Sequence, residues 1–296
     1  MAIAASLREL LAGAVDYAGL YPPASVDMRT AVANYAAYHR SDASWMLGRF
    51  VLPIASLATF RDELASFRDG AGDGWRLSAV LGDDPVSDVD RAITFNESDI
   101  AGAHIDSVEA RISDPAIVAR VARAVNQRVE VFVELPSASD PSPMLSRIRE
   151  HAVYAKIRTG GTTVDAFPRT ASIARFVRRC LEAGVAFKAT AGLHHPLRAE
   201  YRLTYEPHAP CGTMFGYLNV FLATALAVAG APDEDIARVL EETDVGALVA
   251  TDEQIAWRDR VLGAADLREA RRWIRSFGSC SFREPVDELS ALPLAT

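Results

Sequence analysis

VYAKIRTGG (153–161) and VAFKATAGLHHP (185–196) are two short apolar runs, each ending in a lysine and a loop of small residues. The chain has 296 residues and 31 Lys+Arg, and Lys156 and Lys188 are its only lysines. Arginine serves surface charge and solubility as well as lysine does. It cannot serve amine chemistry, because it stays protonated and is not a nucleophile. Two lysines in one local context, at the ends of predicted buried strands, therefore point to a chemical use of the amine.

The rest of the chain extends the same rhythm of apolar runs and amphipathic helices. Ahead of the lysine runs, AVDYAGLYPP (14–23), WMLGRFVLP (45–53), WRLSAVLGDD (75–84), IDSVEARI (105–112) and VEVFVELP (129–136) read as strands one to five. Between them, helices are predicted over Asp27–His39, Leu57–Phe67, about Val86–Thr94, from Asp114 with Pro115 at its first turn, and over Pro143–His151. VYAKIRTGG is the sixth strand. Ala171–Ala183 is the next helix, with Gly184 as its stop, and VAFKATAGL is the seventh strand. From about 196 to 263 the pattern reads as helical: FGYLNVFLATALAVAG (215–230), then Asp233–Glu242, then Glu253–Leu262. Ala265–Ile274 is a helix, and RSFGSCSF (275–282) is the eighth strand. Eight βα units predict an α/β fold, a single (β/α)8 TIM-type barrel over 1–296 with a helical insertion at 196–263 between the seventh and eighth strands.

Composition narrows the function. A formal charge of −8, a pI near 5.3 and no basic run argue against nucleic acid. The longest apolar run, 215–230, is too short to span a bilayer and predicts a buried helix or a contact in a homo-oligomer. The N-terminal segment lacks a signal-peptide layout, and Cys180, Cys211 and Cys280 match neither a disulfide framework nor a zinc site. A cytoplasmic protein with no membrane partner, metal or cofactor is expected.

In such a barrel, reactive groups sit at the C-terminal ends of the strands. That rule selects Asp16, Arg49, Asp106, Glu109, Glu134, Lys156, Lys188, Ser279 and Ser281. Glu109 and Glu134 also read as wall carboxylates paired with arginines. His194 and His195 are adjacent, so one of them at most faces the mouth. Neighbouring strands lie roughly 4.8 Å apart, so the two lysines can depress each other's pKa and free one amine to attack a carbonyl. The bland counterpart is a pair of salt bridges to Asp106 and Glu134.

Five of these segments together resemble the deoxyribose-phosphate aldolase group of class I aldolase barrels. They are AVDYAGLYPP, GAHIDSVEARI (102–112), VYAKIRTGG, FKATAGL (187–193) and RSFGSCS (275–281), in the family's order. The resemblance implies Lys156 as the Schiff-base lysine, Lys188 as the lysine that lowers its pKa, and Asp106 as the proton shuttle, and Asp16 is expected to share the proton handling. Arg158, Ala191, Leu193 and Phe282 depart from the family's pattern, three of them in its glycine-rich phosphate loops. The expectation is thus an aldolase-like lyase on a small, non-phosphorylated oxo compound, with Arg49 or Arg158 on a carboxylate and Glu134, His194, Ser279 and Ser281 lining the site. The alternatives are a non-covalent isomerase or hydrolase that clamps an anionic substrate with Lys and Arg, and a non-catalytic module that docks a partner through the insertion.

Overall fold

A computed structural model describes residues 3–66, 74–98, 102–125 and 129–294. Helix α1 (Ala5–Leu11) precedes the first repeat. The repeats are β1 (Val15–Tyr17) and α2 (Met28–His39); β2 (Leu47–Pro53) and α3 (Leu57–Ser66); β3 (Trp75–Val80) and α4 (Pro85–Glu97); β4 (Ala103–Ala110) and α5 (Pro115–Ala124); β5 (Glu130–Leu135) and α6 (Ser142–Glu150); and β6 (Tyr154–Arg158) and α7 (Thr170–Ala183). Strand β7 (Phe187–Thr190) is followed by the insertion: β8 (Ala199–Arg202), β9 (Cys211–Met214), α8 (Tyr217–Val228), α9 (Asp233–Leu240), β10 (Leu248–Ala250), β11 (Gln254–Trp257), β12 (Arg260–Gly263) and α10 (Ala264–Trp273). The chain ends with β13 (Ile274–Ser279) and α11 (Arg283–Ala291). Phe67, predicted as the end of the second helix, lies outside the described residues.

Strands β1 to β7 and β13 close into an all-parallel barrel in which β1 pairs with both β2 and β13. This is the predicted TIM-type architecture. Local chemistry starts its helices where the sequence indicates. Asp27, Asp84 and Asp114 accept the backbone N–H groups of Thr30, Ser87 and Ala116, and Pro85 and Pro115 occupy first-turn positions. Gly184, at φ 70°, ends α7 in the left-handed conformation that favours glycine.

The insertion departs from the helical expectation. Residues 254–263 form the β11–β12 hairpin of a three-stranded antiparallel sheet with β10, and β8 pairs with β9. Helix α8 is enclosed by α7, α9, α10 and β13, and eleven of its twelve residues are buried. The 215–230 run is therefore core. It offers no apolar face for an oligomer or a docked partner, which corrects that expectation.

The barrel strands alternate, and the apolar side faces outward. Val131, Val133 and Leu135 of β5 belong to the main hydrophobic core, whereas Glu130 and Glu134 make ion pairs inside the barrel lumen. The same alternation sets Ala155 and Ile157 outward and Lys156 inward on β6. The lumen is thereby lined largely by polar side chains, in contrast to the branched aliphatic layers that usually fill such barrels.

Candidate functional site

The lumen holds two ionic tiers. The lower one lies in the N-terminal halves of the strands. Arg49 donates to Asp106 at 2.6 Å and to Glu130 at 2.7 Å, Arg76 to Asp106 at 2.6 Å, and Arg275 to Glu130 at 2.5 Å. Burial works against the Asp106 carboxylate, but the two guanidinium groups outweigh it and hold its pKa below the usual range. Burial likewise opposes the Arg49 charge, and Asp16 and Asp106 more than restore it.

The upper tier is built on the lysines. Lys156 and Lys188 are directly paired in the β6–β7 register, as are Glu134 and Lys156 across β5 and β6. Lys188, with no exposed surface, donates to Asp16 Oδ2 at 2.5 Å and to Glu109 Oε1 at 2.7 Å. Lys156 lies 2.9 Å from Glu109 Oε2 and 3.0 Å from Glu134 Oε2. The two ammonium groups thus share one carboxylate. Ser78 donates to Glu109 at 2.7 Å, Ser276 to Asp16 at 2.6 Å, and Arg111 to Glu134 at 2.9 Å. The Phe132 ring, 5.3 Å from the Lys188 ammonium, packs against this tier.

Electrostatics follow from this pairing. Burial alone would raise the Glu109 carboxyl, but Lys188 and Lys156 outweigh it and hold it well below the usual range. Burial would lower the Lys188 pKa, but Asp16 and Glu109 raise it overall. Lys188 is therefore a fixed cation, not an amine repelled into neutrality. For Lys188 the expected depression gives way to its two counter-ions, Asp16 and Glu109.

Above the upper tier a cavity of about 580 Å³ opens at the C-terminal ends of the strands. Lys156, Glu109 and Glu134 form part of its lining, with Tyr21, Arg158 and His194. The Tyr21 hydroxyl is buried without a hydrogen-bond partner among the described residues, and burial followed by the nearby Glu109 charge raises its pKa. His194 Nδ1 lies 3.3 Å from Glu284 and 3.3 Å from Ser279. Burial opposes the imidazolium, but hydrogen bonds to Cys280 and Glu284 prevail and push its pKa up to about 9.

The structure brings together Asp16, Glu134, Lys156 and Lys188, and places Arg158 and His194 on the cavity wall. Of the other candidates it brings in Glu109 alone. Asp106 and Arg49 pair with each other in the lower tier and do not line the cavity, away from the proton-shuttle and substrate positions expected of them. A register shift explains this for Asp106: Leu77 pairs with Ile105 and Ser78 with Ser107, so Asp106 is the extra residue of a bulge. Glu109 takes the shared position, paired with lysines and not with the arginines expected. Ser279 sits behind His194, and Ser281 accepts the Glu284 N–H at the start of α11. His195 pairs with Glu288 and stacks on Tyr201, away from the cavity.

Tyr21, Ser78, Arg111 and Ser276 were not legible as site residues. Gly48 also matters, since a Cβ there would come within 2.5 Å of Asp16 Oδ1, which accepts the Arg49 N–H. Among the described residues no group of three or more His, Cys, Asp or Glu side chains is arranged to hold a metal ion. Comparison of the chain with protein-family models, curated proteins and solved structures finds no match. No helix among the described residues is long and apolar enough to cross a membrane.

Proposed function

We propose that this barrel is a Schiff-base-forming lyase of the class I aldolase type, acting on a small oxo compound without a phosphate, with Lys156 as the nucleophile. The observation that carries this reading is the position of Lys156: its side chain lines the cavity while its ammonium is clasped by Glu109 and Glu134, above a fully buried Lys188. As a carbonyl carbon approaches, the ammonium gives a proton to Glu134 and the free amine adds to form a carbinolamine. The protonated hydroxyl then leaves as water, taking that proton from Glu134, and an iminium remains. Ammonium and iminium both carry one positive charge. The carboxylates that hold one hold the other, and the charge of the buried tier is unchanged.

Cleavage then sends the electron pair of the broken carbon–carbon bond into the iminium as an enamine, while Glu134 takes the proton of the substrate's β-hydroxyl. Protonation of the enamine carbon and hydrolysis free Lys156. Lys188 keeps Glu109 ionised and in place, a positioning role. The departures of Ala191, Leu193 and Phe282 from the phosphate-loop pattern support a non-phosphorylated substrate, and the nearby glycines are taken up by packing. A Cβ on Gly160 would lie 2.3 Å from the Phe167 ring, and one on Gly192 would lie 2.9 Å from it, so these glycines admit an aromatic ring.

Borohydride reduction with a panel of aldehydes and ketones, followed by mass spectrometry of the intact chain, tests the assignment. The expected product is one adduct, on Lys156, that is lost in Lys156→Ala. An adduct unchanged in that variant would overturn the assignment. A non-covalent electrostatic clamp finds support in one observation, the fixed charge of Lys188 beneath an already ion-paired Lys156. It predicts binding of oxo compounds with no adduct at any residue.

A further inference from the structure

The barrel cavity adjoins a second one of about 1130 Å³, set between the loops that follow β4, β5 and β6. Arg111, Glu134 and Arg158 line both. Beyond them the second cavity is walled by Ile112, Leu135, Pro136, Pro143 and Met144, a mostly apolar surface that continues directly from the charged one.

Charge at the junction is unbalanced. In the upper tier Lys156, Lys188 and Arg111 match Asp16, Glu109 and Glu134 one for one. His194 faces Glu284. Arg158 has no carboxylate within ion-pair distance among the described residues, although it sits where the two cavities meet. Of the other carboxylates lining the two cavities, Asp83 is exposed after β3, three strands around the barrel, and Asp140 accepts the Ser142 N–H and hydroxyl at the start of α6. Lys156 and Arg158 are two residues apart on β6 and so share a face, about 6.6 Å apart along the strand.

We infer that the two cavities form one site for an oxo acid with an apolar arm. The carbonyl meets Lys156, the carboxylate takes the two-pronged guanidinium of Arg158 at the junction, and the arm lies along Ile112, Pro136 and Met144. The carbonyl end rests on the Schiff-base reading. The acid and arm subsites stand on the unpaired guanidinium and the apolar cavity.

Carboxylates without a carbonyl test those two subsites separately from the amine chemistry. Calorimetric titration of the full chain with acetate, butanoate, hexanoate and octanoate is expected to show affinity rising with length, up to roughly fourfold per methylene. Octan-1-ol is expected to bind at least tenfold more weakly than octanoate. Arg158→Gln should abolish that difference, and Met144→Glu should weaken octanoate at least tenfold while leaving acetate within twofold. Circular dichroism would confirm that both variants are folded. Affinity independent of chain length, or octanoate binding that neither substitution changes, would overturn the inference. Failure of borohydride trapping would bear only on Lys156, because no probe here carries a carbonyl.

Discussion

The lower and upper tiers solve the same problem with different cations. Each places charged side chains inside a barrel and neutralises them with carboxylates from other strands. The lower tier uses Arg49, Arg76 and Arg275 with Asp106 and Glu130. The upper tier uses both lysines of the chain with Asp16, Glu109 and Glu134. Arginine thus suffices for structural pairing in this lumen, as the lower tier demonstrates. Hydrophobic residues of similar volume often do as well as a buried ion pair, so stability alone does not account for the upper tier. The difference lies in exposure to the cavity, since Lys156 lines it and Arg49 and Arg76 do not. The upper tier thus presents an amine to the cavity, whereas the lower-tier arginines lie away from it.

Exchanging the cations tests this contrast most severely. Lys156→Arg keeps a donor for Glu109 and Glu134 but removes the nucleophile. The expected outcome is complete loss of the borohydride adduct with the barrel still folded. The reciprocal Arg49→Lys should retain the adduct at Lys156 and gain none at position 49. An adduct on the new lysine would show that the lower tier is as accessible as the upper, and the contrast would fail.

Arg49→Met breaks the lower tier outright. Asp106 keeps Arg76 and Glu130 keeps Arg275, but both lose their buried partner. A loss of about 3 kcal/mol is expected in chemical denaturation, with trapping at Lys156 unchanged. A neutral outcome would mean that the lower tier contributes neither stability nor chemistry.

The parts of this arrangement that the sequence made legible share a cause. Outward-facing residues such as Val131, Val133, Ala155 and Ile157 pack under helices, and their two-residue period announces the strands. The lysines were legible because they are rare. The bulge at Asp106 was not, because a one-residue register shift leaves no mark on composition, and it exchanged the roles expected of Asp106 and Glu109. The β11–β12 hairpin carries a helix-like pattern for a related reason. Its turn is made at Arg258, with φ 53°, where the glycine or asparagine that usually signals such a turn is missing. Tyr21 and Ser276 could not be singled out either, since a hydroxyl becomes a site residue only through what the barrel brings near it.

The cavity wall differs from both tiers in its pH response. His194 has a folded pKa of about 9 against an ordinary value near 6.5. A raised pKa means that the folded state binds the proton more tightly. The associated stability is present in full below about pH 6.5 and is lost as pH rises towards 9. The free energy of unfolding should fall across that window by an amount on the order of 3 kcal/mol. His194→Gln should flatten the profile there, and an unchanged slope would remove His194 from the charge balance of the rim.

The smallest effect concerns whether the tiers are separable. Asp16 touches both, accepting the Arg49 backbone N–H on Oδ1 and the Lys188 ammonium and Ser276 hydroxyl on Oδ2. Ser276→Ala removes one hydrogen bond to a buried carboxylate that keeps two other donors, and about 1.5 kcal/mol is expected. The lower-tier contact to Asp16 comes from the backbone, so Arg49→Met leaves it intact. The two substitutions should therefore add to within about 0.5 kcal/mol in a double-mutant cycle. A larger coupling would mean that the guanidinium of Arg49 reaches the upper tier through the position of β2, and that the lysine chemistry depends on the arginine tier beneath it.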